Sequence, residues 1–398
     1  MQKTKYMVTS GFLGAGKTTS MLAFARSINA RYGKAAILAN DLGAGNIVDA
    51  DFTAESGVLT TSIAGNCICY QHENLIDKLH QLIDGGATVI FSDIPGCGIG
   101  ALDHVYLQTK EKEGDEFELM PFMCIVDPER LKMLMDKGND INLPAEMRFL
   151  LDAQMAEADV IVLNKTDTID AAHKAKCLEL ISTLHPETPL FAMSARTGEG
   201  VDAVVDYIMT HTSAAEHREI GYGSEAFMAA ERMLSWYNRR VWFEQREDKN
   251  TDFNAVLMDL FEAIRAGLRE KGGNVPHLKM FASGEGGDYF KASLIGIDYD
   301  VVCDHALAKG YAAISVIINA RAAARAEDMA AVVDDALDAV AGKYAARAAA
   351  RAEDMAAVVD DALDAVAGKY ALRARTFFLE NFGMMDEGRG NGGRASRY

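Results

Sequence analysis

Short apolar runs alternate with longer amphipathic stretches through the first 212 residues of the chain. The short runs predict strands over 5–10, 35–40, 88–93, 121–126, 159–163 and 189–193. Between them, apolar positions recur at three- and four-residue spacing and predict helices near 17–31, 73–84, 145–157, 170–184 and 200–210. This alternation gives an α/β fold, a mostly parallel sheet with helices on both faces. Sheets of that kind hold ligands at the carboxyl ends of their strands, so the loops after the strands are where chemistry is expected.

Past residue 212 the rhythm changes. Residues 213–225 read as a linker. A strand at 240–244, a helix over 252–271, strands at 277–282, 289–295 and 313–319 and an alanine-rich helix predict a smaller α+β domain over 226–385. A ferredoxin-like order is one arrangement of those elements. Residues 386–398, rich in glycine and arginine, predict a disordered tail. Residues 320–345 recur letter for letter as 346–371. Met329, Val332, Val333, Leu337 and Val340 set an amphipathic helical stripe in the first copy; Met355, Val358, Val359, Leu363 and Val366 repeat it. Folding constrains apolar positions, not every letter, so identity signals duplication. The extra copy is expected to be dispensable for nucleotide turnover.

The first loop carries the strongest chemical signal. Gly11-Phe12-Leu13-Gly14-Ala15-Gly16-Lys17-Thr18-Thr19 follows a strand and opens a helix, and it fits the phosphate-loop pattern G-x-x-x-x-G-K-[ST]. Glycines let backbone N–H groups turn inward around phosphate oxygens, while the helix start adds a positive dipole end. Gly11, Gly14, Ala15, Gly16, Lys17, Thr18 and Thr19 are the expected cradle, with Lys17 on the terminal phosphates and the Thr18 hydroxyl on Mg²⁺. Strand 88–93 ends in Asp93-Ile94-Pro95-Gly96, which places an acid for Mg²⁺ and a glycine N–H for the γ-phosphate. Strand 159–163 runs into Asn164-Lys165-Thr166-Asp167. A carboxylate at 167 accepts from the two donors of a guanine edge, which adenine lacks; Asn164 steadies the loop and the Lys165 stem covers the base. Ser194-Ala195 follows the last strand and offers backbone contacts to the guanine carbonyl.

Together with Asn40-Asp41-Leu42-Gly43 and Gly65-Asn66-Cys67-Ile68-Cys69-Tyr70, these motifs resemble the CobW-type family of P-loop GTPases, relatives of the nickel-enzyme maturation GTPases. The resemblance covers about the first 210 residues. It implies a Mg²⁺-dependent GTPase, with Lys17, Thr18, Asp93 and Gly96 at the reacting phosphate and Thr18, Asp41 and Asp93 on the Mg²⁺ side. It also implies a metallochaperone that delivers zinc, cobalt or a cobalamin-related cofactor to a client metalloprotein or corrinoid protein. The chain departs from the family at three points. It has Asp41 where members carry glutamate, Asp93 where they carry glutamate, and Tyr70 where they carry the third thiol of C-x-C-C. Soft thiolates at Cys67 and Cys69 suit Zn²⁺ or Co²⁺. Cys97, next to Gly96, is the expected third ligand, and His72 the second choice. Two buried thiols packed as small hydrophobes is the competing reading. A GTP-controlled switch for a partner enzyme, such as a corrinoid-dependent methyltransferase, is the alternative function.

Composition narrows the partners. The 398 residues carry a net charge of −18, which argues against nucleic acid and anionic membrane. Six cysteines without a secretory leader point to a reducing compartment, the cytoplasm. No apolar run reaches the roughly 18–20 residues that span a bilayer. A homodimer is compatible with all of this.

Overall fold

A computed structural model describes residues 3–41, 57–64, 67–135, 146–232, 235–246, 251–343, 347–349 and 371–383. The described residues fall into two compact units, the first ending at Ala230 and the second starting at Glu231.

The first unit is built on a parallel sheet. Its strands are β1 Thr4–Ser10, β2 Ala35–Asp41, β3 Leu59–Ala64, β4 Val89–Asp93, β5 Phe117–Leu119, β6 Met123–Val126, β7 Val160–Leu163 and β8 Leu190–Ala192. They lie in the order β3-β2-β4-β1-β6-β7-β8, with β5 also beside β1 and every pairing parallel. β4 and β7 are buried at every position, as strands covered on both faces must be, hence their unbroken apolar runs. One face packs Leu75, Leu79, Leu82, Leu102 and Val105 against Tyr6, Val8 and Ile90. The other packs Met21, Phe24, Ile28, Val204 and Ile208 against Met7, Phe91 and Val162. The α/β expectation holds, and helix Lys17–Arg31 has the expected bounds.

Sequence periodicity missed β3, β5 and the helices Gln108–Glu113, Pro128–Met135 and Glu225–Arg232. β3 is an edge strand with only one paired neighbour, so Thr60, Thr61 and Ser62 are tolerated where an inner strand would be apolar. A π-helical turn, Leu102–Leu107, precedes Gln108–Glu113 and breaks the 3.6-residue period that would have marked it. The stretch read as a linker lies along the first unit. Ser213 N–H donates to Leu119 O (2.9 Å), Lys110 Nζ to Ala214 O (2.5 Å) and Arg218 to Glu157 O and Ala158 O (2.7 and 2.6 Å). The His217 ring pairs with Asp103 at 2.8 Å.

The second unit is an antiparallel sheet with helices. β9 Ser235–Arg246, β10 Asn274–Ser283, β11 Tyr289–Leu294, β12 Val302–His305, β13 Ala313–Ala323, β14 Arg347–Ala349 and β15 Ala371–Gly383 lie in the order β12-β11-β10-β13-β9-β15-β14. Helix Phe253–Glu270 joins β9 to β10, and helix Ala326–Lys343 follows β13. Taking β9, β10, β13 and β15 as the frame, the order β15-β9-β13-β10 is the split β-α-β arrangement, with the β11–β12 hairpin added at one edge. Helix Ala326–Lys343 uses the first repeat copy, burying Met329, Val332, Val333, Leu337 and Val340. Most of the second copy, and the tail 386–398, lie outside the described residues. No described helix is long and apolar enough to cross a membrane.

Candidate functional site

The motif residues lie at the carboxyl ends of β1, β2, β4, β7 and β8. After β1, Gly14 and Gly16 take positive φ (83° and 96°). At Gly16 space forbids a side chain as well, because a Cβ would come 2.6 Å from Asn164 Nδ2. Helix Lys17–Arg31 starts here, so its free N–H groups face the cradle. The Lys17 ammonium folds back onto Gly11 O at 2.7 Å, inside the ring of backbone groups that would surround a phosphate. Thr18 is buried beside it. A triphosphate fits this cradle, since its oxygens can replace the carbonyl as acceptor for Lys17 and meet turned-in N–H groups.

The base motif grips the same loop. Asn164 donates from Nδ2 to Ala15 O (3.0 Å) and accepts from Ala195 N–H on Oδ1 (3.0 Å), tying the phosphate loop to the turn after β8. Lys165 sits in the left-handed region (φ 59°) and sends Nζ to Gly14 O at 2.6 Å. The Asp167 carboxylate takes the Ser194 hydroxyl at 2.7 Å and pairs with Arg196. Partial burial pushes its carboxyl up, but the Ser194 hydroxyl and the Arg196 guanidinium outweigh that and hold it below the usual range. It is an ionised acceptor with a cation already on its edge. Asn164, Lys165, Asp167, Ser194 and Ala195 are thus brought together with the cradle.

Asp93 ends β4, nearly buried, and its Oδ1 accepts the Asn40 backbone N–H at 3.1 Å. Thr18 and Asp93 present the hydroxyl and carboxylate oxygens that Mg²⁺ prefers. Asp41 closes β2, the strand beside β4. Gly96 lies against the cradle, where a Cβ would come 2.8 Å from Leu13 N.

Cys67 and Cys69 form a close pair in the turn before helix His72–Asp84. Their sulfurs are 3.0 Å apart, both buried and neither in a disulfide. The Cys67 thiol beside it, and then burial, push the Cys69 thiol up, with the Glu157 charge adding to the effect. A metal would therefore have to displace the Cys69 proton. Cys97 is buried, and among the described residues no three His, Cys, Asp or Glu side chains form a metal-holding group. His72 starts its helix and pairs with Glu113 at 3.0 Å. Tyr70, at the position of the third thiol, is exposed and bonds Tyr222 through their hydroxyls. Cys124 is core in β6.

Asn40 joins these groups. Its N–H meets Asp93, its Oδ1 accepts Ile68 N–H at 3.1 Å between the two cysteines, and its Nδ2 donates to Ile63 O at 3.3 Å. Three further buried polar residues escaped the sequence reading. Arg130 Nε donates to Leu13 O at 3.2 Å, and its guanidinium lies over the Phe12 ring. Gln154 Nε2 donates to Gly96 O and Gly98 O (3.1 and 3.0 Å). Glu157 accepts Gly100 N–H and Leu102 N–H (2.9 and 2.7 Å). Burial pushes its carboxyl up to about 7, against the lowering effect of those N–H groups and Arg218. One signal pointed to them: charged or amide residues on an otherwise apolar helix or strand end.

Comparison with known proteins agrees with this geometry. Residues 5–192 match the model of the CobW/HypB/UreG nucleotide-binding domain. The chain is 31% identical over 166 residues to the zinc chaperone YeiR of Escherichia coli (strain K12), covering 41% of this chain and 47% of that protein. The chain thus spans about half the length of that curated relative. Zn(II)-bound YjiA GTPase from E. coli is 16% identical, with a TM-score of 0.36 over 83% of this chain and 98% of that one. HypB from Helicobacter pylori in complex with nickel is 14% identical, with a TM-score of 0.38 over 55% and 93%. These two superpositions are weak, and the fold stands on the strand order above. Residues 5–192 are a nucleotide-binding domain of the CobW/HypB/UreG family.

Proposed function

We propose that the chain is a GTPase metallochaperone: it binds GTP with Mg²⁺, hydrolyses it slowly, and uses the nucleotide state to set how tightly Cys67 and Cys69 hold a thiophilic ion. Zinc is the first choice of ion and cobalt the second; the recipient is a client metalloprotein. Lys17, Thr18 and Asp93 hold the Mg²⁺-bound triphosphate, and Mg²⁺ neutralises charge on its terminal oxygens. Gly96 meets the γ-phosphate, and Asp167 reads guanine with Ser194 and Ala195 behind it. The observation that carries the reading is the bonded path from Asp93 through Asn40 to Ile68. It joins the Mg²⁺-side carboxylate to the backbone between the two thiols in two steps. A shift of Asp93 on γ-phosphate loss changes the set of the thiol turn, and by reciprocity the ion changes nucleotide affinity. The YeiR likeness supports zinc as cargo.

The test is Zn²⁺ and Co²⁺ affinity of reduced protein with a non-hydrolysable GTP analogue and with GDP. Wild type is expected to differ about fivefold or more between the two states. Asn40→Ala should equalise them, Cys67→Ser should abolish tight binding, and Cys97→Ser should leave the difference in place. Equal wild-type affinities in both states end the coupling idea. Protein that takes up no ion at all, yet binds GTP, turns the reading to a GTP-controlled activator of a partner enzyme, such as a corrinoid-dependent one.

A further inference from the structure

Gln154 and Glu157 stand three residues apart at the end of helix Glu146–Glu157, so both project from one face. Both are buried, Gln154 completely. Between them they bond four backbone groups of a single loop: the carbonyls of Gly96 and Gly98, and the N–H groups of Gly100 and Leu102. A donor side chain takes the acceptors and an acceptor side chain takes the donors. That loop begins three residues after Asp93 and is seated against Leu13 of the phosphate cradle with no room for a Cβ.

We propose that Gln154 and Glu157 are positioning residues for γ-phosphate sensing, fixing the backbone of residues 96–102 so that Gly96 is presented to the cradle. The proposal rests on the GTPase reading above and adds the residues that make it selective for the triphosphate. An isolated loop of seven residues, three of them glycine, would sample many peptide orientations, and fixing them costs conformational entropy. Here the fold has already met that cost through the two side chains. The Gly96 peptide is preorganised rather than ordered by the ligand. The helix supplying them also runs straight into β7 and Asn164, whose amide bridges Ala15 O and Ala195 N–H. One rigid element therefore registers the sensing loop, the cradle and the base loop to one another. Glu157 also lies under the stretch that leads out of the first unit, because Arg218 bonds its backbone carbonyl at 2.7 Å.

A residue that only stabilises the fold would weaken every nucleotide alike. A positioning residue for the γ-phosphate weakens GTP and spares GDP, which ends at the β-phosphate. Full-length wild type, Gln154→Met, Glu157→Leu and Glu157→Gln are titrated with GDP and with a non-hydrolysable GTP analogue in Mg²⁺. Steady-state hydrolysis is followed alongside. Gln154→Met and Glu157→Leu are expected to lose about tenfold in analogue affinity, the equivalent of one or two buried hydrogen bonds, with kcat falling and GDP affinity unchanged within about twofold. Glu157→Gln keeps one of the two acceptor oxygens and sets an amide donor against the other N–H, so it should fall between wild type and Glu157→Leu. Equal losses for both nucleotides, or none, in variants that melt cooperatively overturn the proposal. Should Glu157→Leu not fold, amide exchange at Gly100 and Leu102 in wild type decides. Protection is expected in both nucleotide states and deepest with the analogue; exchange at the rate of open loop amides overturns it. Wild type that binds neither nucleotide would sink the GTPase reading itself, a separate outcome.

Discussion

A carboxylate at 167 offers two acceptors on one edge, and an amide in its place offers an acceptor and a donor. Asp167 is held by Ser194 and Arg196 and kept ionised by them. Asp167→Asn is expected to lower the preference for GTP over ATP by about a hundredfold or more, because a site built for hydrogen bonds rejects a mismatched partner. Competition binding measures this, and an unchanged ratio removes the base assignment while leaving the cradle intact. Glu157 gives a pH prediction. Its carboxyl titrates near 7 in the folded chain against an ordinary value near 4.3. Between those values the folded state keeps a proton the unfolded state has lost, so stability from this group is full below about pH 4 and falls as pH rises through 7. The loss is about 3 kcal/mol by linkage, and Glu157→Gln should flatten it in denaturant unfolding followed from pH 5 to 8. A slope the variant shares assigns the effect elsewhere. Motif residues such as Lys17, Asn164 and Asp167 were legible in the sequence because their roles follow from fixed local spacing. Gln154 and Glu157 were not, and Asn40 was legible as a motif letter but not in its bonds. Their partners include backbone atoms some 23 to 58 residues away, and no spacing rule encodes that.

Elements buried on both faces announced themselves, and the edge strands with polar or exposed residues did not. β4 and β7 are continuous apolar runs, whereas β3 is polar and β12 is exposed along its length. The turn with the two thiols falls between those cases. Cys67 and Cys69 could be read as a C-x-C pair, but whether a third ligand folds onto them depends on long-range packing. The repeat poses the sharpest question at this scale. Leu337 is fully buried in helix Ala326–Lys343, and Leu363 occupies the same place in an identical stripe. The second copy is therefore competent for the same groove on the sheet. With 346–371 deleted, Leu337→Ala should cost about 2–5 kcal/mol, as for any large core side chain cut to Ala. In the full chain the loss should be smaller, because the intact second stripe can take the groove. The deletion alone should leave GTP turnover unchanged, since every nucleotide-site residue lies in the first unit. Turnover lost from folded, soluble deletion protein contradicts this. Equal Leu337→Ala costs in both backgrounds show that the copies do not exchange.

Two apolar cores line the first sheet and a separate one fills the second unit. Everything proposed to touch nucleotide, from Gly11 to Ala195, belongs to the first. The two tryptophans of the chain, Trp236 and Trp242, both belong to β9 of the second. Tryptophan emission therefore follows only the second unit, while calorimetry sees both. A ligand that binds one folded unit stabilises that unit by mass action, about 2.7 kcal/mol at a hundred times its dissociation constant. For a unit of about 200 residues each kcal/mol moves the midpoint by about 2–4 °C. GDP with Mg²⁺ at that excess should raise the calorimetric transition of the first unit by roughly 5–10 °C and leave the tryptophan transition where it was. Zinc bound at the thiol pair should act on the same transition as GDP, because Cys67 and Cys69 share the core of the first unit. If the tryptophan transition moves with nucleotide by the full amount, the units unfold as one cooperative block. The nucleotide signal would then reach β9 through the chain's packing, and the second unit would be a reporter of nucleotide state and no longer a passenger.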